Sequence, residues 1–143
     1  MARLMQKARE SSTQADQKAR LRFRKHQRLW GRKDFARVFR RRCRVSEDGL
    51  LAFVDRNDTG QPRLGISIGR RAGKAVERNR EKRRLREAFR HCQHDLPAID
   101  MIVVVKSTGR SVGEYEALVK RLAMSGERRL RKARYSRRSS PNP

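Results

Sequence analysis

Acidic residues are scarce in this chain: 15 Asp and Glu stand against 39 Lys and Arg, a formal net charge of +24 over 143 residues. Charge this one-sided repels itself in a compact state, which implies a polyanionic partner. Nucleic acid fits best, because every phosphate contact releases counterions. A membrane surface ranks second. Apolar runs are short, and none approaches the ~20 residues that cross a bilayer. The opening Met1 to Lys7 lacks the apolar core of a secretory signal, so the expected location is the cytoplasm. Cysteine is nearly absent: Cys43 and Cys92 are isolated, with no CxxC pair. That argues against a disulfide framework or a zinc site and for two reduced, half-buried fillers.

Clustered catalytic groups are missing as well. A metal nuclease needs carboxylates gathered around its cations. Here Asp48, Asp55 and Asp58 flank a loop, where they serve as turn formers, and Asp95 and Asp100 flank Pro97. His91, Cys92 and His94 point along different helix directions at about 100° per residue, and His26 lies alone in a basic segment. The expectation is a binder with no catalytic or metal site of its own. No helix-turn-helix spacing or other recognised reader is visible, which argues against sequence-specific DNA binding.

With 36% hydrophobic residues, the chain can form one modest core between polar ends. Residues 1–21 read as a basic, flexible extension, 22–132 as the folded domain and 133–143 as a disordered basic tail. Phe35, Val38 and Phe39 recur at helical spacing and predict a short helix over 32–42. Leu50 to Val54 and Leu64 to Gly69 predict strands, paired as a hairpin through the turn cluster at 57–62. A helix over 75–94 follows, then the β-branched segment 101–105 as a central strand, then a helix over 112–131. This order predicts an α+β fold, a compact sandwich with helices covering one face of a sheet.

The informative stretch runs from Arg70 to Arg90. Wound as a helix, it places Leu85, Ala88, Phe89 and Cys92 on one side, facing a core. Asn79, Arg83, Arg86 and Arg90 form a second stripe, with Glu81 and Glu87 expected to lie away from it, while Arg78 and Lys82 flank the apolar side at its amino-terminal end. Guanidiniums fork two hydrogen bonds onto phosphate, so an unpaired stripe suits a folded polyanion. The helix amino terminus near Lys74 and Ala75 adds free N–H groups. An ordinary charge run is a solvated face, but one this one-sided on so basic a chain favours binding.

In Leu64 to Gly69, alternation sets Leu64, Ile66 and Ile68 on one face and Gly65, Ser67 and Gly69 on the other. Small residues let a ligand backbone approach closely. If Leu51 and Phe53 share that face, Phe35 and Phe39 could wall a shallow groove for unpaired nucleotides. Spacing alone leaves groove and plain core equally open for these phenylalanines.

Leu64 to Ile68, followed by Gly73-Lys74-Ala75-Val76-Glu77-Arg78-Asn79-Arg80 and its continuation to Arg90, resembles the signature of the bacterial ribonuclease P protein subunit. Arg28-Leu29 with Lys33 to Phe39, Asp100 to Val105 and the helix carrying Tyr115-Glu116 are similar to further parts of that family, over about residues 22–132. The resemblance implies an α/β sandwich with a left-handed βαβ crossover, like the second domain of ribosomal protein S5. It implies removal of the 5′ leader from precursor tRNA, with an Mg²⁺-dependent RNA subunit as catalyst and no cofactor intrinsic to the protein. The implied partners are that catalytic RNA and precursor tRNA, not DNA or a membrane. Arg70, Lys74, Arg78, Asn79, Arg80, Lys82, Arg83, Arg86 and Arg90 are the implied RNA contacts. The implied leader cleft comprises Phe35, Phe39, Leu51, Phe53, Ser67 and Arg71. Four positions depart from the family pattern: Arg70 and Arg71 stand where lysines are usual, Leu50 lies near a position where a larger aromatic often sits, and Glu81 replaces an apolar residue. A ribosomal or other structural RNA-binding protein is the alternative, separated only by the central motif.

Overall fold

Seven consecutive residues, Ile99–Val105, form the strand around which everything else is arranged. In the computed structural model, which describes residues 23–29 and 31–139 with side chains as far as Ala133, six of the seven are buried. Helix α1 (Gly31–Arg40) is followed by β1 (Arg44–Glu47), β2 (Leu50–Arg56) and β3 (Arg63–Ile68). Helix α2 (Ala75–Cys92), strand β4 (Ile99–Val105) and helix α3 (Val112–Ser139) complete the chain. The sheet order is β1-β2-β4-β3. β2 pairs antiparallel with β1 and β4, whereas β3 runs parallel to β4. The fold is therefore α+β with a mostly antiparallel sheet, and β3-α2-β4 is its βαβ unit.

β2 and β3 are not a hairpin: β4 lies between them, hydrogen-bonded to both. Proximity in sequence suggested the pairing, but the most apolar strand takes the doubly covered central place. The true hairpin joins β1 to β2 through Asp48 and Gly49, both at positive φ (42° and 82°). Two such residues are what a tight primed turn requires. The loop after β2 is instead held by Asn57, whose amide donates to the Gln61 carbonyl at 2.8 Å and to Asp100 at 2.9 Å.

Alternation divides the sheet into two faces. Leu50, Ala52 and Val54 of β2 join Met101, Val103 and Val105 of β4 under α2 and α3. Phe89 and Tyr115 are the largest side chains buried there, and a fully buried phenylalanine contributes roughly 1.5–3 kcal/mol. Helix α3 lies so close that a Cβ on Gly126 would stand 2.8 Å from a Val54 methyl. On the opposite face, Leu29, Val38 and Ile102 form a smaller cluster with Phe35, Phe39 and Phe53, so α1 covers part of the face expected to be open.

α1 ends at Arg40, and Arg42 turns the chain away at φ 56°. α2 stops at Cys92, and one tight turn over Gln93–Asp95 leads to Pro97. α3 continues to Ser139, beyond the boundary that composition put at 132. Arg, Lys and Ala are good helix formers, and no Gly or Pro interrupts them before Pro141. The extension expected over 1–21 and the last residues of the expected tail lie outside the described residues.

One end of the α1 face is closed by charge. Asp100 is wholly buried and accepts from Arg63 at 2.7 and 2.6 Å, from Asn57, and from Arg37. Arg37 also reaches Asp55 at 2.7 Å. Burial pushes the Asp100 carboxyl up, but the hydrogen bonds from Arg63, Asn57 and Arg37 outweigh it and hold the group below its ordinary 3.8. A carboxyl depressed on folding stabilises above its unfolded pKa and loses that contribution as pH falls through the folded one. Stability should therefore decline as pH drops below about 4, and Asp100→Ala should remove this decline while costing about 3–5 kcal/mol at neutral pH. Denaturant melts of both proteins across that pH range test this; an unchanged acid slope in Asp100→Ala would assign the decline elsewhere.

Candidate nucleic-acid interface

Helix α2 has two chemically distinct sides. Leu85, Ala88, Phe89 and Cys92 are buried against the sheet and α3, as their spacing predicts. Glu81 is also turned inward, only 2% exposed. It accepts from the Tyr115 hydroxyl, from the Gly109 N–H at 2.9 Å and from Arg84 at 3.3 Å. This cage explains how a carboxylate is held inside the core, since a buried charge survives when fully hydrogen-bonded. Burial and the Glu81 carboxylate together push the Tyr115 hydroxyl up.

The outward side carries Asn79, Arg80 and Arg83, all exposed. With Arg70, Arg71, Lys74, Arg78, Lys82 and Arg86, these side chains form no ion pair among the described residues. Arg90 differs. Its Nε donates to Glu87 at 3.1 Å and its Nη2 binds the other carboxylate oxygen. Residues three apart on a helix are neighbours, so Glu87 lies beside the stripe rather than away from it. The Arg90 hydrogen bond holds the Glu87 carboxyl below its usual value. The unpaired stripe thus ends at Arg86. The amino terminus is also less open than expected, because the Glu77 carboxylate accepts the Lys74 N–H at 3.3 Å.

A feature that the sequence left unread lies beside this stripe. Residues 23–29 run along β3: Arg28 bridges Leu64 in parallel, and the Leu29 N–H donates to the Leu64 carbonyl at 3.0 Å. Arg28 thereby meets Lys82 and Arg86 around a cavity of about 130 Å³, walled by Phe23, Phe35 and Gly65. Its Nε is buried with no partner among the described residues, and its guanidinium lies 5.1 Å from the Phe23 ring centre. Burial and the neighbouring Arg28 charge push Arg86 below its ordinary value. Three cations converging without a carboxylate make a place for an anion. Helical periodicity could not identify Arg28, since only the fold brings it to α2.

The other sheet face is graded in three rows. Asp55, Asp100 and Arg63 are in register at the charged end. Phe53, Ile102 and Gly65 form the middle row, covered by Phe35 and Phe39. Phe39 meets Phe53 edge to face at 4.8 Å between ring centres. A Cβ on Gly65 would stand 2.9 Å from the Phe35 ring, so this small residue admits the protein's own phenylalanine rather than a ligand. Leu51, Val104 and Ser67 make the last row, all half-exposed. Phe35, Phe39 and Phe53 pack against the smaller cluster, and the last row stays accessible beside them. Val104, between Leu51 and Ser67, is the member of this row that sequence reasoning missed, because it sits within an otherwise buried strand. Arg71 is exposed beyond the end of β3.

His91 faces Glu87 at 3.2 Å and Glu116 at 3.8 Å, whereas Cys92 is buried on the core side, its thiol pushed up to about 11. Among the described residues, no three His, Cys, Asp or Glu side chains are grouped to hold a metal ion. Among them, too, no helix is long and apolar enough to cross a membrane.

The chain's similarity to known proteins agrees with this geometry. The family profile described as Ribonuclease P matches residues 23–133. The ribonuclease P protein component of Photorhabdus laumondii is 37% identical over 118 residues, covering 82% of this chain and 98% of the relative. That of Blochmanniella pennsylvanica is 42% identical over 84 residues, covering 58% and 73% respectively. Among solved structures, the RNase P protein of Thermotoga maritima superposes with a TM-score of 0.59 at 25% identity, covering 67% of this chain and 94% of that one. A Staphylococcus aureus RNase P protein mutant shares the fold, with a TM-score of 0.61 at 24% identity over 72% and 90% of the two chains. With a cationic helix seated on this sheet and the family profile spanning the whole described domain, the chain belongs to the ribonuclease P protein family.

Proposed function

We propose that the chain acts in ribonuclease P by holding two RNAs at once: the catalytic RNA on the outward side of α2, and the 5′ leader of precursor tRNA on the last row of the α1 face. As a protein component of that endoribonuclease, it assists removal of the leader from precursor tRNA and does not itself cut. The observation that carries the reading is the uncompensated charge on α2. Arg80 and Arg83 project into solvent, and Arg28, Lys82 and Arg86 share a cavity without an acid. Phosphates satisfy such groups better than water, because binding releases counterions. Asn79 adds a neutral donor and acceptor among them, suited to a sugar or base edge. Arg70, Lys74 and Arg78 extend the surface toward the start of the helix. Arg90, engaged by Glu87, contributes less.

The leader reading rests on shape. Leu51, Val104 and Ser67 offer a shallow floor, the exposed edges of Phe39 and Phe53 offer stacking surface, and Arg71 offers a charge for the backbone. Unpaired nucleotides bind such surfaces with little sequence preference. Mg²⁺ belongs to the RNA subunit in this account. Around α2, Glu81 is spent on Tyr115 and Glu87 on Arg90, leaving these carboxylates committed within the protein.

Two experiments test this. Adding the purified chain to a bacterial ribonuclease P RNA at low Mg²⁺ should accelerate cleavage of precursor tRNA; an unchanged rate contradicts the proposal. Phe53→Ala should weaken affinity for leader-bearing precursor about 10-fold, the scale of one stacked base, and leave mature tRNA nearly unaffected. Equal losses for the two substrates would assign Phe53 to packing alone.

A further inference from the structure

The two edges of the sheet differ. Residues 28 and 29 cover the outer side of β3, but β1 ends the sheet at the other edge with nothing of the described chain paired to it. Helix α3 passes beside that edge and leaves a groove of about 440 Å³ between them. Arg44 and Ser46 form one wall, and Ser125, Arg128 and Lys132 form the other. Arg129 spans the two by donating to the Arg44 carbonyl.

The groove is cationic: Arg44, Arg128, Arg129 and Lys132 line it, and the outward carbonyl of Arg44 is taken by Arg129. The Val54 N–H donates to the Cys43 carbonyl at 2.9 Å, which fixes the hydrogen-bond alternation along β1. By that alternation, the N–H groups of Arg44 and Ser46 point outward. No carboxylate lines the groove. Of the nearby acids, Glu127 pairs with Arg131 at 2.6 Å and Asp48 with Arg121 at 3.6 Å, while Glu47, at the end of β1, is not part of the groove lining. Exposed edge strands invite pairing with another chain, and cationic side chains along this one oppose such pairing with a second, equally basic copy. The chain's ends carry the same excess of Arg and Lys, so they do not complement the groove.

We infer that the β1–α3 groove is a second docking surface for the catalytic RNA, taking a stretch of its phosphate backbone remote from the one on α2. This rests on the proposed role of the chain in ribonuclease P. α2 and α3 cover the same sheet face, whereas the proposed leader row lies on the opposite one. Arg44 and Ser46 stand opposite Phe53 and Leu51 and so share the leader face, but Arg128, Arg129 and Lys132, which carry most of the groove's charge, belong to α3. The side that α3 shares with α2 assigns the groove to the catalytic RNA rather than to precursor tRNA. β1 and β3 are three strand spacings apart, roughly 14 Å, so the two cationic surfaces lie on opposite edges of the sheet. Two separated anchors resist rotation of the protein on its RNA, which a single helix contact does not.

The test uses the full chain and its cognate catalytic RNA, with affinity measured across a salt series. Arg128 and Lys132 are exposed and make no contact on which the fold depends. Arg128→Glu with Lys132→Glu should weaken binding at least ~10-fold and lower the salt slope by about two. Arg128→Lys with Lys132→Arg should bind as the parent does. If the charge reversal fails a thermal-melt check of folding, Arg128→Gln with Lys132→Gln is measured in its place. Unchanged affinity and slope overturn the inference, as does a loss confined to precursor tRNA. Failure of the unaltered chain to bind the catalytic RNA overturns the parent reading itself and is seen before any variant is compared.

Discussion

The structure depends on how α2 is seated. Leu85, Ala88, Phe89 and Cys92 must leave water, and only one orientation of the helix on the sheet satisfies all four. That orientation turns Asn79, Arg80 and Arg83 to solvent. The helix does not select its cationic side for RNA by any separate device; burying the apolar side presents it. Glu81 fixes the rotation further, because its cage of Tyr115, Gly109 and Arg84 exists in a single register. A carboxylate inside the core thus helps keep carboxylates off the surface where phosphate is expected.

The sheet supports this seating from beneath and serves a second purpose on its other face. Because β4 is central, its alternating side chains feed both cores at once, Met101 and Val103 toward α2 and α3, Ile102 toward α1. The Asp100 network closes one end of the α1 face and the phenylalanines fill the middle, so the row of Leu51, Val104 and Ser67 is left accessible among the described residues. An accessible cleft arises there because α1 covers only part of that face.

Much of this was legible in the sequence. The helical stripe and the central β-branched strand follow from period and alternation, whereas the face shared by Phe53 and Ser67 is fixed only by the register of β2 and β3 on β4. What failed was non-local or depended on one step of geometry. Pairing of β2 with β3 looked natural from adjacency, yet β4, more than thirty residues downstream, takes the place between them. β1 was overlooked because Arg-Val-Ser-Glu is short and polar, although Asp48-Gly49 marks its turn. In projection Arg90 falls in the arginine stripe and Glu87 off it, yet long side chains three residues apart still meet. Gly65 suggested room for a ligand, and Phe35 occupies that room. Arg28 acquires meaning only once residues 23–29 are laid along β3.

The central claim is that outward guanidiniums of α2 meet phosphates of the catalytic RNA. Arg80 and Arg83 are the residues to remove, since both are exposed and neither is ion-paired among the described residues. The most direct measurement is the salt dependence of catalytic-RNA binding for the Arg80→Ala, Arg83→Ala double variant. Loss of two phosphate contacts should weaken binding and flatten the logarithmic slope by roughly 1.8, at about 0.9 per phosphate. A slope and affinity equal to those of the parent chain would contradict the account.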